Sequence, residues 1–126
     1  IPHIRSGKLR VLGVASETLS AEQIIEQGLA RRDAACDRTI DAFCALLGSF
    51  SGNVALTLGA RGGVYVGGGI VPRLGERFFQ SAFRQRFEAK GRYSSYLQTV
   101  PTALIIDTMA ALSGAAFALR SRSLQP

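Results

Sequence analysis

The chain is poor in the residues that build metal sites and disulfide frameworks. Its 126 residues include two cysteines, one histidine and no tryptophan. Cys36 and Cys44 fall in a segment predicted to be helical, where their separation along the axis is about 12 Å, too far for a disulfide. We therefore expect buried, reduced thiols, which favour a cytoplasmic protein. The sequence has no Cys/His zinc pattern, and we predict no metal ligands.

Long apolar runs and a leader sequence are also missing. No apolar run approaches the ~20 residues of a membrane-spanning helix without an interrupting Gly, Arg or Asn, so we expect no membrane partner. The opening residues, Ile1-Pro2-His3-Ile4-Arg5, contain no initiator methionine and do not follow the layout of a signal peptide. We interpret the chain as a fragment of a longer protein.

Acidic residues and lysines are scarce relative to arginine. The net charge is +6, and because Lys8 and Lys90 are the two lysines, 15 − 2 = 13 of the basic residues are arginines. Arginine-rich surfaces suit phosphate and carboxylate ligands, and they can also bind nucleic acid. No aromatic-and-basic RNA motif accompanies them, so we do not expect a nucleic-acid partner. An acidic partner lobe that balances the charge is the simpler explanation.

One glycine-rich stretch, residues 62–74, organises the rest of the chain. Val64-Tyr65-Val66 is bounded by glycines and predicts a short central strand. The next three glycines predict a tight turn, and Pro72 suits the first turn of a helix. Such a turn commonly binds a nucleotide, but any α/β layer can need one, and this stretch is neither a dinucleotide fingerprint nor a Walker-type loop. On the spacing alone both interpretations stay open.

The remaining sequence predicts helices around a short sheet. Two strands do not make a stable sheet alone, so we infer an α/β fold whose other strands lie elsewhere. The predicted elements are a helix from Ser20, with a capping box to Gln23, to about Ala30; a helix Ala34–Leu58; an arginine-rich helix from Val71 to about Ala89; a buried strand Ala103–Ile106; and a final helix capped by Asp107 or Thr108, followed by a loose tail from Arg120.

Several residues within these elements carry specific expectations. Gly48 and Gly52, four residues apart, would let a neighbouring element approach closely, and Asn53 is interpreted as a satisfied polar group rather than a ligand contact. The apolar stripe of the long helix is expected to continue through Val54 and Leu58. Arg73 lies near enough to the glycine turn to reach a phosphate or a carboxylate. The other arginines of its helix are expected to be solvated, opposite a core-forming stripe of Phe78, Phe79, Phe83 and Phe87.

From about Leu19 to Arg120 the chain resembles the C-terminal part of proteobacterial-type glucokinases, in the actin-like sugar-kinase superfamily. The resemblance implies a partial ribonuclease H-like (actin-like ATPase) large lobe, with helices around a short incomplete sheet. It covers residues 17–126, whereas residues 1–16 match no motif of the family and stay unassigned. The motifs that carry it are Phe43-Cys44, residues 48–56, residues 62–74, Phe83-Arg84, residues 87–92 and Leu112-Ser113-Gly114-Ala115.

The resemblance also implies a site and its ligands. The adenosine of ATP would rest on the turn and the start of the next helix, at Gly67, Gly68, Gly69, Ile70, Val71 and Pro72. An intact enzyme would use ATP with Mg²⁺, bind glucose, contain an N-terminal lobe missing here, and form a homodimer. The family's Asp-x-Gly-Gly-Thr phosphate motif, its Asn-Asp base pair and its Glu-x-x-His sugar motif are absent from this sequence. We therefore assign no catalytic residue and expect this chain alone to be inactive.

Two points stay open at this stage. Asp107-Thr108-Met109-Ala110 departs from the proline-containing start of the family's last helix, which leaves the start of that helix unsettled. The alternative function is a non-catalytic regulatory or sugar-sensing module derived from a glucokinase, although nothing in the sequence resembles a helix-turn-helix.

Overall fold

The computed structural model describes residues 19–107 and 109–123. The expectations for residues 1–16 and for Thr108 lie outside the described residues. The elements, in chain order, are α1 (Ala21–Leu29), α2 (Ala34–Leu58), β1 (Val64–Val66), α3 (Ile70–Leu74), α4 (Glu76–Phe79), α5 (Phe83–Glu88), a 3₁₀ helix (Gly91–Tyr93), α6 (Ser94–Thr99), β2 (Thr102–Leu104) and α7 (Ala110–Ser123).

Helix α1 begins and ends where the sequence predicted. The Ser20 hydroxyl accepts a hydrogen bond from the Gln23 amide at 3.2 Å, and the Gln23 side chain accepts one from the Ser20 amide at 2.8 Å. This capping box satisfies two amides that would otherwise lack partners at the helix start. The helix then buries Ile25 and Gly28.

Helix α2 also has its predicted bounds. The Asp33 carboxylate caps its start by accepting from the amides of Ala35 and Cys36 at 2.6 and 3.0 Å. Gly59 ends it in the left-handed conformation at φ 61°, which favours glycine because other residues are strained there. The predicted apolar stripe is wrong at this end, since Val54 and Leu58 are exposed and Ser51, Gly52 and Ala55 are buried instead. Asn53 is exposed.

The length and composition of α2 bear on the expectation about membranes. By those two measures alone the helix could cross a membrane, although it contains the interrupting residues Gly48, Gly52 and Asn53. A helix in the core of a globular domain passes the same test. Here α2 packs against both α1 and α5, and we interpret it as the central helix of the core.

The closest helix contact is between α2 and α5, and it depends on glycine. A Cβ atom at Gly48 would lie well inside van der Waals distance of the Phe83 carbonyl oxygen, and one at Gly52 would meet the Phe87 carbonyl oxygen in the same way. The Lys90 ammonium group donates to the Ser49 carbonyl oxygen at 2.9 Å beside this contact. The predicted close approach at the two glycines is confirmed.

The predicted single helix from Val71 to Ala89 is wrong, because the chain forms three short helices over these residues. Gly75 separates α3 from α4 with φ 52° and ψ −133°, values that no helix contains. Ser81 separates α4 from α5, since its hydroxyl donates to the Phe78 carbonyl oxygen and accepts from the Phe83 amide. These bonds replace the helical hydrogen bonds that a continuous helix would make.

This rearrangement changes which side chains are buried. Phe78, Phe83 and Phe87 belong to the core as predicted, but Phe79 is 67% exposed. The arginines are not simply solvated. Arg77 forms ion pairs with Asp37 and Asp41 at 2.8 and 2.7 Å, and Arg84 pairs with Glu88. The acidic residues of α2 are therefore held against α4.

The two cysteines are buried and free, as predicted. Burial raises the pKa of the Cys44 thiol, and burial together with the charge of Asp33 raises that of Cys36. A raised pKa keeps a thiol protonated and unreactive at neutral pH. We therefore interpret both as core residues.

Strands β1 and β2 form a two-stranded parallel sheet in which Val64, Tyr65 and Val66 pair with Thr102, Ala103 and Leu104. The second strand thus ends at Leu104, and its predicted extension through Ile106 is wrong. It is also not buried, because Ala103 is exposed and Thr102 and Leu104 are half-buried. Tyr65 of β1 is 69% exposed. Over the described residues the sheet lacks the neighbours that would cover it.

The last helix, α7, begins at Ala110, later than a cap at Asp107 or Thr108 would place it, and it is longer than expected. Asp107 caps the turn that leads into this helix, since its Oδ1 atom accepts a hydrogen bond from the Met109 amide at 2.8 Å. The helix continues to Ser123, so the prediction of a loose tail from Arg120 is wrong over residues 120–123. Large apolar side chains on α7 are exposed, among them Leu112 and Phe117.

Candidate functional site

A cleft of about 450 Å³ lies at the carboxyl ends of the two parallel strands. One wall comes from the turn that follows β1, and the other from the segment between β2 and α7. Ligand sites in α/β proteins commonly occupy this crevice at the ends of parallel strands. The lining residues are Gly67, Gly68, Gly69, Pro72, Ile105, Ile106, Asp107, Ala110 and Ala111.

The register of the sheet brings the two walls together. Val66, the last residue of β1, pairs with Leu104, and the Ile105 amide donates to the Val66 carbonyl oxygen at 2.9 Å. The chain segments after the two strands therefore start side by side. A Cβ atom at Gly67 would lie 3.5 Å from Cδ1 of Ile105, which is ordinary van der Waals contact.

Open space surrounds the glycine turn, whose residues line the cleft. Gly68 has φ 118°, a conformation that other residues adopt only with strain. A Cβ atom at Gly68 or Gly69 would have no neighbouring atom within 4 Å. Glycine is therefore not needed there to admit any other part of residues 19–107 and 109–123. A side chain at either position would instead fill volume that a ligand could use.

The structure brings four of the six sequence-predicted site residues to this cleft and places two elsewhere. Gly67, Gly68, Gly69 and Pro72 line it. Val71 is 4% exposed and belongs to the hydrophobic core. Ile70 lines a separate apolar groove of about 150 Å³ with residues of α1 and α2. The first turn of α3 therefore directs these two side chains away from the cleft.

The opposite wall was missing from the sequence-based site. Ile105, Ile106 and Asp107 were predicted as strand or helix cap, and Ala110 and Ala111 as the start of the last helix. A signal was available, because parallel strands end at the same edge of a sheet. Using it requires knowing that β1 and β2 are adjacent, and the pairing is a tertiary fact.

The chemistry of the cleft suits a ring system and hydroxyl groups better than phosphate. Its described lining is mostly glycine, alanine, isoleucine and proline, with Asp107 as its ionisable group and no lysine or arginine. Helix α3 has five residues and no side-chain cap, so its dipole adds little. Arg73 pairs with Glu22 at 2.7 Å and is not among the lining residues. It reaches a carboxylate rather than the cleft.

A metal site is not built by the residues that the structure describes. Among residues 19–107 and 109–123, no group of three or more His, Cys, Asp or Glu side chains is placed to hold a metal ion. The groups whose pKa is shifted, namely Asp33, Cys36, Cys44 and Arg77, lie outside the cleft lining.

A family model described as Glucokinase matches residues 3–122 of the chain. The matched range includes residues 3–16, in which the sequence showed no family motif, and the division at residue 16 stays a prediction. The glucokinase of Chromobacterium violaceum is 54% identical over 104 residues, which are 82% of this chain and 30% of that protein. The glucokinase of Aromatoleum aromaticum is 47% identical over 87% of this chain and 33% of its own length.

A solved structure agrees with these sequence relatives. The crystal structure of glucokinase from an Antarctic psychrotroph superposes with a TM-score of 0.73 at 41% identity, covering 82% of this chain and 32% of that one. The chain therefore spans about a third of the length of the relatives that it matches. Two thirds of such a protein have no counterpart here.

Proposed function

The chain belongs to the glucokinase family, and from that premise we propose that it forms the C-terminal part of an ATP-dependent glucokinase and contributes its adenosine-binding cleft. The observation that carries this proposal is the glycine wall of the cleft, where open space lies beside Gly68 and Gly69. A flat adenine ring can approach backbone of this kind closely because no Cβ atom stands in the way. The surrounding isoleucine and alanine side chains offer it apolar contacts.

The fold assignment follows the same proposal. A parallel two-stranded sheet with helices packed around it is what a piece of a ribonuclease H-like lobe would retain. The exposed face of β1 and β2 would then be covered by further strands of the intact lobe. Leu46 and Phe50 on α2 are 71% and 66% exposed, and they would be covered by the N-terminal lobe or by a second subunit.

The division of labour between the lobes follows from the charges at the cleft. When bound, ATP supplies the phosphoryl group that such kinases transfer to the 6-hydroxyl of glucose. The described lining offers no cation to the triphosphate. We assign to this chain the binding and orientation of adenosine. We assign the phosphate groups, Mg²⁺, glucose and the catalytic base to the part of the enzyme upstream of this chain, in a cytoplasmic homodimer.

Calorimetry on two matched glycine variants tests the adenosine cleft. Gly69→Val places a branched side chain in the open space of the cleft, whereas Gly62→Val places the same side chain in open space away from the cleft. We expect Gly69→Val to weaken ATP binding at least tenfold and Gly62→Val to change it less than twofold. Equal effects of the two substitutions would count against the cleft as the nucleotide site.

A kinase assay tests the division between lobes. The chain is assayed for glucose phosphorylation alone and after mixing with the N-terminal two thirds of the Chromobacterium violaceum glucokinase. We expect activity on mixing and none from either part alone. Activity of the chain alone would show that its own residues include a catalytic base. ATP binding without activity on mixing would instead favour the regulatory module, which no present observation supports.

A further inference from the structure

Asp107 stands out among the residues of the cleft because it is the ionisable group of a lining that is otherwise apolar or backbone. It lies three residues after the end of β2 and three residues before the start of α7. Its side chain is exposed rather than buried in the core. Because this carboxylate lies at the surface, the protein does not remove it from water, and a ligand in the cleft can reach it.

Two amides that follow Asp107 in the chain hold this residue in place, one through its carboxylate and one through its backbone. Its Oδ1 atom accepts from the Met109 amide at 2.8 Å, and its backbone carbonyl oxygen accepts from the Ala110 amide at 3.3 Å. A carboxylate has about four acceptor sites on its two oxygens. The Met109 amide uses one of them, and no other described residue donates to this side chain in the hydrogen bonds of the structure. Acceptor capacity therefore remains on this carboxylate, which belongs to the cleft lining.

A carboxylate with free acceptor sites favours ligand groups that donate hydrogen bonds, and it repels the negative charge of a phosphate group. Adenosine carries two hydroxyl donors on neighbouring carbons of its ribose, and a carboxylate can accept from both. Hydrogen bonds to a charged acceptor are about twice as strong as neutral ones. Resting on the adenosine cleft proposed above, we infer that Asp107 binds the 2′- and 3′-hydroxyls of the ribose. It thereby selects ribonucleosides over nucleosides that lack those hydroxyls.

The test separates this contact from the role of Asp107 as a helix cap. Asp107→Asn keeps a side-chain oxygen that can cap the Met109 amide, but it removes the charge. Binding of adenosine and of 2′,3′-dideoxyadenosine is measured by calorimetry on the full chain. Nucleosides are used because loss of a negative charge would itself favour a triphosphate. Glu76→Gln removes one negative charge outside the cleft lining and serves as the control.

We expect the unaltered chain and Glu76→Gln to bind adenosine at least tenfold more tightly than dideoxyadenosine. In Asp107→Asn this ratio should fall below threefold, because adenosine binding weakens while dideoxyadenosine binding does not. A cap defect would weaken both nucleosides equally and leave the ratio unchanged. Such a result overturns the assignment of Asp107.

Two further arms keep the result decisive. Inosine, which lacks the 6-amino group of adenosine, is measured alongside, and a ratio of adenosine to inosine that collapses in Asp107→Asn would overturn the ribose contact in favour of the base. Asp107→Ser replaces Asp107→Asn if the latter is unfolded by circular dichroism, since serine is also a good cap. Binding of neither nucleoside by the unaltered chain would instead refute the adenosine cleft itself.

Discussion

The Nη1 atom of Arg84 donates a hydrogen bond to the carbonyl oxygen of Val100 at 2.8 Å. Its Nη2 atom donates to the carbonyl oxygens of Leu97 and Gln98 at 3.2 and 3.1 Å. These carbonyl groups lie in the last turn of α6 and just after it, where few backbone amides remain to bond them, although that of Leu97 also accepts from the Val100 amide at 3.1 Å. One side chain of α5 therefore caps α6 and positions the chain just before Pro101 and β2. Strand β2 then leads into the second wall of the cleft.

This cap predicts that Arg84 and lysine are not interchangeable. Lysine keeps the positive charge but lacks the planar fork that reaches several carbonyl groups at once. Because the Arg84 side chain is 37% exposed, we expect Arg84→Lys to lower the free energy of unfolding by only about 1–2 kcal/mol. The free energy of unfolding is measured by urea titration, with circular dichroism as the signal. Arg86→Lys, at an exposed position of the same helix, should change it by less than 0.5 kcal/mol, roughly the usual range for surface substitutions.

Two glycine-to-alanine substitutions, one at the α2–α5 contact and one in α7, are expected to have opposite effects on stability. Gly48→Ala forces the added methyl group against the Phe83 carbonyl oxygen, and such overpacking costs about 1–3 kcal/mol. Gly114→Ala in α7 meets no atom within 4 Å. It should stabilise the helix by up to about 1 kcal/mol, because glycine is a poor helix former. Urea unfolding measures the free energy of unfolding of both variants. A Gly48→Ala variant as stable as the unaltered chain would contradict the described packing.

The cap of α2 predicts a pH dependence on the acid side. Hydrogen bonds from the Cys36 and Ala35 amides hold the pKa of Asp33 below its usual value of 3.8. A lowered folded-state pKa contributes stability that is present above the unfolded-state value and is lost as the pH falls through the folded-state pKa. We expect the stability difference between the unaltered chain and Asp33→Asn to shrink from pH 5 toward about pH 2.

Denaturant midpoints at a series of pH values check this prediction. Asp33→Ser is the control, because it also provides a cap without a titratable group. Its midpoints should run parallel to those of Asp33→Asn as the pH falls. If the advantage of the aspartate over both variants persists at the lowest pH, the charged form of Asp33 is not what stabilises the helix start.

Local signals were sufficient for the first half of the fold. The capping box at Ser20, the cap at Asp33 and the left-handed glycine at Gly59 each act through the residue's own backbone neighbours. For that reason the bounds of α1 and α2 could be predicted from the order of residues alone. The family was indicated by the resemblance of residues 62–74 and several other motifs to glucokinase sequences, whereas the glycine spacing alone left the interpretation open.

The middle of the chain could not be predicted in this way. The arginine and phenylalanine residues of 71–89 have the period of one long helix, but three helices form. Gly75 breaks the period with a positive φ of 52°, which glycine adopts readily, and Ser81 breaks it with a side-chain hydrogen bond. Each of these residues is tolerated within a helix in other contexts, and packing of Phe78 and Phe83 into the core decides the outcome.

The sequence by itself determined the glycine wall of the cleft, since backbone freedom is a property of Gly67, Gly68 and Gly69 wherever they lie. Only the tertiary structure decided the other wall. Ile105 and Asp107 stand about forty positions along the chain from that turn, and they reach it because Val66 pairs with Leu104 in a parallel sheet. Pairing of distant strands depends on the whole core, so no local pattern encodes it.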